Sequence, residues 1–157
     1  MLVIPRTLCF LFHGEDVLLL QGAPDKRLWA NRYNGIGGHV EPGEDVYSAA
    51  QREIREEAGV PITELRLRGV ITVAPEKEEP EVLLFVFTAR ALSRDVRASA
   101  EGEPIWVRRD QVRMLDVVED VPVILEWVRA MGPEDPPFSA RSVRDEGGQI
   151  RLIREET

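Results

Sequence analysis

GGHVEPGEDVYSAAQREIREEAGV, residues Gly37–Val60, is the stretch on which the reading of this chain turns. Its first part carries Gly37-Gly38 and Pro42-Gly43, too much punctuation for regular structure. A helix is expected from about Asp45 to Ala58, closed by Gly59. Inside it, Arg52-Glu53-Ile54-Arg55-Glu56-Glu57 gathers three acids. Glu53, Glu56 and Glu57 stand at i, i+3 and i+4, so they share one helical face. A solvated charged face is the plain explanation. Three physical points stand against it. Like charges at i, i+4 repel by a few tenths of a kcal/mol. Glu56 and Glu57 fall in the last turn, where the helix dipole favours cations. Arg52 and Arg55 relieve only part of that. A bound cation improves such a helix.

The chemistry of that cation follows from its donors. Carboxylate oxygens suit the hard ions Mg²⁺ or Mn²⁺ rather than zinc. No cluster of His and Cys competes, since His13 lies in an expected turn and His39 stands alone beside the glycines. A magnesium site built on a few carboxylates usually keeps positions for waters and substrate phosphates. The segment therefore points to metal-assisted chemistry on a phosphate compound. There is no P-loop and no Ser-His-Asp arrangement.

The remaining sequence frames this helix. A chain of 157 residues, 43% apolar and 31% charged, has the make-up of one ordinary globular domain over 1–157. Thr7–Phe12 and Val17–Gln21 read as a hairpin across His13–Asp16, and Ala23–Asn34 as a loop. Arg66–Ala74, Glu81–Arg90 and Ile105–Val107 read as strands. Arg109–Leu115 and Asp120–Met131 read as helices, and Phe138–Val143 with Gln149–Ile153 as a last hairpin. The order suggests an α+β fold, a mixed sheet covered by helices. Net charge is −8, which argues against long nucleic acid as a partner. The single Cys9 cannot form an internal disulfide, and MLVIPRT lacks a signal-peptide layout. No apolar run reaches the ~18 residues of a membrane span. A cytoplasmic protein is expected.

Residues 38–60 resemble the signature of the Nudix hydrolases, G-x5-E-x7-R-E-U-x-E-E-x-G-U with U aliphatic. Gly38, Glu44, Arg52, Glu53, Ile54, Glu56, Glu57, Gly59 and Val60 fill every fixed position. The resemblance implies an α/β/α sandwich with a mixed central sheet. It also implies Mg²⁺-dependent hydrolysis of a nucleoside diphosphate linked to another group. It makes Glu53, Glu56 and Glu57 metal ligands, with the Gly38 carbonyl as a further candidate. Glu44 and Arg52 would brace the loop against the helix. Glu53 is the first choice for orienting or deprotonating the attacking water. Glu101 and Glu103, before the Ile105–Val107 strand, are the alternative base or ligand, with plain loop charge as their other explanation.

Upstream, Tyr33-Asn34-Gly35-Ile36-Gly37-Gly38 resembles the lead-in of the branch that cleans oxidised purine nucleotides, with Tyr33 where Trp is usual. In that branch the residue matching Asn34 hydrogen-bonds the base. Glu119-Asp120 resembles an acidic pair that reads the purine edge. Val117 replaces the usual Trp before that pair, and Trp29 could supply the missing stacking surface. Each has a structural explanation too: turn chemistry for Asn34, a helix start for Glu119-Asp120, core packing for Trp29 and Tyr33. The expected substrate is a purine nucleoside triphosphate, 8-oxo-dGTP included, cut to monophosphate and pyrophosphate. An ADP-ribose or nucleotide-sugar pyrophosphatase is the second expectation, resting on Pro75. A nucleotide-binding regulatory domain without catalysis is the third. A monomer and a homodimer are both compatible with the sequence.

Overall fold

β1 (Val3–His13) and β2 (Asp16–Gly22) form the expected hairpin, turning at Gly14 with φ 60°. They stay paired only near the turn, with Leu11 opposite Leu18 and Phe12 opposite Val17. Beyond that they part. β2 then pairs with β3 (Tyr33–Asn34), a two-residue strand within the expected loop. The opposite edge of β2 is taken along its whole length by β6 (Gly102–Arg108). The glycine-rich segment after β3 runs along β1 in the gap: Cys9 and Ile36 exchange both backbone hydrogen bonds, and the Thr7 N–H donates to the Gly38 carbonyl at 2.9 Å. This computed structural model describes residues 2–26, 30–74 and 78–154.

The rest of the sheet grows from β1. It lies parallel to β5 (Glu81–Ala91), which pairs antiparallel with β4 (Ile62–Val73). β4 runs parallel to β7 (Phe138–Arg144), and β7 turns back into β8 (Ile150–Arg154). The sheet is mixed, in the order β3-β2-β1-β5-β4-β7-β8 with β6 joined to β2. β4 starts four residues earlier than its apolar pattern suggests. The register shifts between Thr63 and Arg66, and Glu64 has φ 58°, so a bulge breaks the alternation there.

Both faces of the sheet are buried, which explains why TLCFLF and VLLFVF lack polar alternation. Leu8 and Phe10 face a cluster completed by Val121, Ile124, Leu125 and Val128 of α2 (Val121–Arg129). Cys9 and Leu11 face a cluster completed by Ala50 and Ile54 of α1 (Val46–Glu57) and by Ala58, its C-cap. The result is the α/β/α sandwich, one helix to a face. Burying Ile54 at 2% exposure contributes about 2 kcal/mol towards fixing α1 on the sheet. Cys9 is fully buried, and burial pushes its thiol up, so it serves as core. Arg109–Met114, expected as an ordinary helix, is a single 3₁₀ stretch. Only Val112 in it is buried, too narrow an apolar stripe to anchor longer helix.

α1 begins where Asp45 accepts from the Ser48 N–H at 2.9 Å. It ends at Gly59, φ 68°, whose N–H returns to the Ile54 carbonyl. That position aims its last turn at the glycine loop beside β1.

Candidate active site

Backbone hydrogen bonds to β1 fix the loop that faces α1. Gly38 is held by Thr7, and the Val40 N–H donates to the Pro5 carbonyl at 3.0 Å. This leaves the Gly37 N–H to point at α1, where it donates to Glu57 Oε2 at 3.3 Å. Gly38 is equally confined: a Cβ there would lie 2.6 Å from Glu53 Oε1. The two glycines thus let the helix carboxylates press against loop backbone.

Arg52 ties the other end of the loop to the helix. Its Nε and Nη2 donate to the two oxygens of Glu44 at 2.7 and 3.0 Å, a bidentate pair. Nη2 also reaches the His39 carbonyl at 3.1 Å. Nη1 donates to Glu53 at 2.8 Å and to Glu56 at 3.3 Å. Hydrogen bonds from Arg52 and from the Glu41 N–H hold the Glu44 carboxyl below its usual range.

The carboxylates are not equivalent. Glu57 is only 3% exposed, whereas the Glu56 side chain is 58% exposed. Burial is the largest influence on Glu57, followed by a hydrogen bond and charge from Glu53, and together they push its carboxyl well above the usual carboxylate range. A cation beside Glu57 would offset both its burial and the neighbouring charge of Glu53. The donor set is all oxygen, so a hard divalent cation fits it. As the side chains stand, no three acidic, Cys or His side chains among the described residues are grouped around one point. The exposed Glu56 is turned to Arg52 instead.

These groups line a cavity of about 770 Å³, room for a nucleotide-sized ligand. Arg6 and Lys26 lie on its wall, and Glu101 beside Lys26 at 3.0 Å. Glu103, the other loop acid, lies on β6 opposite Gln21, exposed and outside the cavity lining. A carboxylate-floored cavity entered between a glycine loop and a helix end is matched by a family description. The NUDIX domain model fits residues 3–128.

The chain belongs to the Nudix family.

It is a hydrolase of that family, and Nudix hydrolases generally use divalent cations. Among its relatives is the oxidized purine nucleoside triphosphate hydrolase of Mus musculus, 31% identical over 115 residues, which are 73% of this chain and 72% of that one. Another is the nucleoside triphosphatase NudI of an Enterobacter species, 32% identical over 65% of this chain and 79% of that one. The fold is shared with the MutT protein of Bacillus halodurans, with a TM-score of 0.77, 24% identity, and coverage of 95% of this chain and 97% of that one. No helix among the described residues is long and apolar enough to cross a membrane.

The residues compared earlier with base-reading positions gather away from the carboxylates. The Tyr33 N–H donates to the Asp116 carbonyl at 3.0 Å, and the Val118 N–H donates to the Tyr33 carbonyl at 2.9 Å. This brings Tyr33 and Asn34 beside the segment that leads into Glu119-Asp120. Asn34 Oδ1 accepts from the next residue's N–H, Gly35, at 2.8 Å, which is local turn chemistry. None of these four side chains lines the carboxylate cavity. Trp29 and Pro75 lie outside the described residues.

Asp120 precedes α2 but its side chain makes no cap hydrogen bond. Burial pushes its carboxyl above the usual range. For an acid raised in the folded state, stability is full below the unfolded value and is lost as pH rises through the folded one. Asp120→Asn is therefore expected to raise the melting temperature at pH 7 and to leave it unchanged near pH 3. Thermal melts at the two pH values check this, and a loss at pH 7 would show a stabilising carboxylate.

Sequence reasoning passed over Arg6 and Lys26. Burial lowers the Arg6 pKa, while Glu53, Glu57 and Glu101 raise it in turn. Its only sequence-level signal is a cation at the start of an apolar strand, beside Pro5.

Proposed function

We propose that this Nudix hydrolase cuts a purine nucleoside triphosphate, oxidised purines included, into the monophosphate and pyrophosphate, using Mg²⁺. The observation that carries the metal is the buried Glu57 beside the half-buried Glu53, set against the Gly37 N–H in the lining of a nucleotide-sized cavity. The substrate class is supported by the two nucleoside triphosphate hydrolases among the relatives.

When bound, Mg²⁺ would neutralise phosphate charge and align the phosphoryl group for in-line attack by water. Glu53, Glu56 and Glu57 would hold it, with the Gly38 carbonyl, which keeps a second lone pair beyond the one that meets Thr7. Mn²⁺ could replace it with the same oxygen ligands. Glu53 takes the proton of the attacking water. Glu101 is the alternative base, on the cavity wall and paired with Lys26. Arg6 and Lys26 bind phosphate oxygens. Arg52 and Glu44 position Glu53 by locking loop to helix. The bond broken is the anhydride between the α- and β-phosphates, and water's oxygen ends on phosphorus.

Asn34 would donate to the base through Nδ2, since its Oδ1 is occupied by Gly35. Glu119 and Asp120 would meet the purine edge and accept from its N–H donors. Trp29 and Tyr33 would stack. A panel of dNTPs, 8-oxo-dGTP, ADP-ribose and diadenosine polyphosphates with Mg²⁺, resolving the phosphate products, tests the reading. Preferred turnover of ADP-ribose would overturn it. Asn34→Ala should raise KM for the purine triphosphate about tenfold, the worth of one good base contact, and leave that for ADP-ribose unchanged. An equal rise in both would remove Asn34 from base recognition.

A further inference from the structure

A second cavity, of about 430 Å³, opens on the face of the sheet that carries α2 and shares no lining residue with the carboxylate cavity. Five arginines line it: Arg66 and Arg68 of β4, Arg90 of β5, Arg109 of the 3₁₀ stretch and Arg129 of α2. Among the described residues Glu64 is the one acid in its lining. This density of cations occurs in a chain whose net charge is −8. Like charges brought together from four elements repel, and an anion among them would relieve that repulsion.

The individual arginines show where the donors go. Arg68 is 7% exposed and spends Nε on the Thr88 hydroxyl at 2.9 Å and Nη1 on the Gly132 carbonyl at 3.0 Å. Both partners are neutral, and the acid charge felt by Arg68 comes from Asp135, which lies outside the cavity lining and acts less strongly than burial and Arg66. Desolvation, and then Arg66, lower its pKa. Arg109 lies over the Phe12 ring at 5.5 Å, donates Nη2 to the Gly14 carbonyl at 3.1 Å and reaches the exposed Glu15 at 3.6 Å, while its Nε is buried without an acceptor. Arg66 and Arg90 reach Glu64 only at 3.7 and 3.6 Å, too long for bidentate pairing. Arg129 forms no ion pair among the described residues. Glu64 itself sits in left-handed backbone at the β4 bulge, φ 58°.

We propose that this arginine cavity binds a small phosphate-bearing anion, separately from the carboxylate cavity. Guanidinium forks match phosphate oxygens two at a time, and several can share one phosphate group. A lone carboxylate would only repeat what Glu64 already supplies. The acidic surface of the chain, and the concave setting, favour a small ligand over a nucleic-acid backbone.

The test uses inorganic pyrophosphate as the probe, in EDTA, with backbone amide and arginine Nε–H NMR signals of the full chain. The expected result is saturable shifts at Gly14, Thr88, Ala89 and Arg68 Nε, half-complete below about 1 mM. The Arg66→Gln/Arg129→Gln double variant should bind about tenfold more weakly. It should keep the wild-type melting temperature and nucleotide hydrolysis. Shifts confined to Gly37–His39 and Ser99–Glu101 would overturn the proposal, as would shifts that stay linear in pyrophosphate to about 10 mM. Undiminished binding in the double variant would overturn it too.

Discussion

Glu57→Gln is expected to lower kcat about a thousandfold, ~4 kcal/mol of transition-state stabilisation, while the protein stays folded. The side chain is 3% exposed, so a change of size would disturb the core, but glutamine keeps the volume. Its amide oxygen can still accept from the Gly37 N–H, and its NH₂ can donate to Glu53. What is lost is one negative charge at the cation's position. Without metal, the variant should melt at or above the wild-type temperature, because it removes a buried carboxyl set against the charge of Glu53. With Mg²⁺, the wild type should gain melting temperature and the variant should not. Glu56→Gln should also collapse turnover, with less effect on stability, because that side chain is mostly in solvent. Steady-state kinetics and melts with and without Mg²⁺ provide the measurements. Full activity in either variant would remove that glutamate from the metal assignment.

The contrast between these residues marks how far the sequence could be read. Spacing put Glu53, Glu56 and Glu57 on one helical face, and their place at the helix end told against plain solvation. Both are local facts, set by about ten consecutive residues. The bracing of Glu44 by Arg52 lies eight residues apart and came from the resemblance. The layered fold was legible because α2 repeats Val121, Ile124, Leu125 and Val128 on one face, and because two strands are apolar throughout.

What was not legible depends on distant pairing. Lys26 meets Glu101 only because β2 and β6 pair along their length and bring the loops beyond their ends together. Arg6 joins the same wall through the bridge from β1 to His39. Glu101 and Glu103 look alike in sequence, yet one lines the cavity and the other lies exposed on β6. The five arginines of the second cavity are spread from Arg66 to Arg129, with no local spacing to announce them. The extent of β4 was hidden by its bulge, where alternation stops carrying information.

Gly37→Ala and Gly38→Ala should fail in opposite ways, although they are neighbours with the same change of one methyl group. Neither glycine has positive φ, so backbone conformation is not the reason for either. At Gly37 a Cβ would lie 1.9 Å from the Thr7 carbonyl oxygen and 2.7 Å from its carbon. These are backbone atoms of a central strand and cannot rotate away. The loop must separate from β1, giving up the Cys9–Ile36 and Thr7–Gly38 hydrogen bonds together with the Gly37–Glu57 contact. Overpacking and those losses sum to about 3–5 kcal/mol. That corresponds to a fall of roughly 10 °C or more in melting temperature for a chain of this length. At Gly38 the clash is with the Glu53 carboxyl, 2.6 Å from Oε1, the mobile end of a side chain. The fold should keep its stability within about 1 kcal/mol. Glu53 must shift away from Arg52 and Glu57, however, and kcat should fall about 10²-fold, the cost of a misplacement near 1 Å. Melting curves and kcat for the two variants separate the cases. A Gly37→Ala protein melting like the wild type would mean that the loop is not locked to β1. A Gly38→Ala protein with wild-type kcat would mean that the position of Glu53 does not limit the reaction.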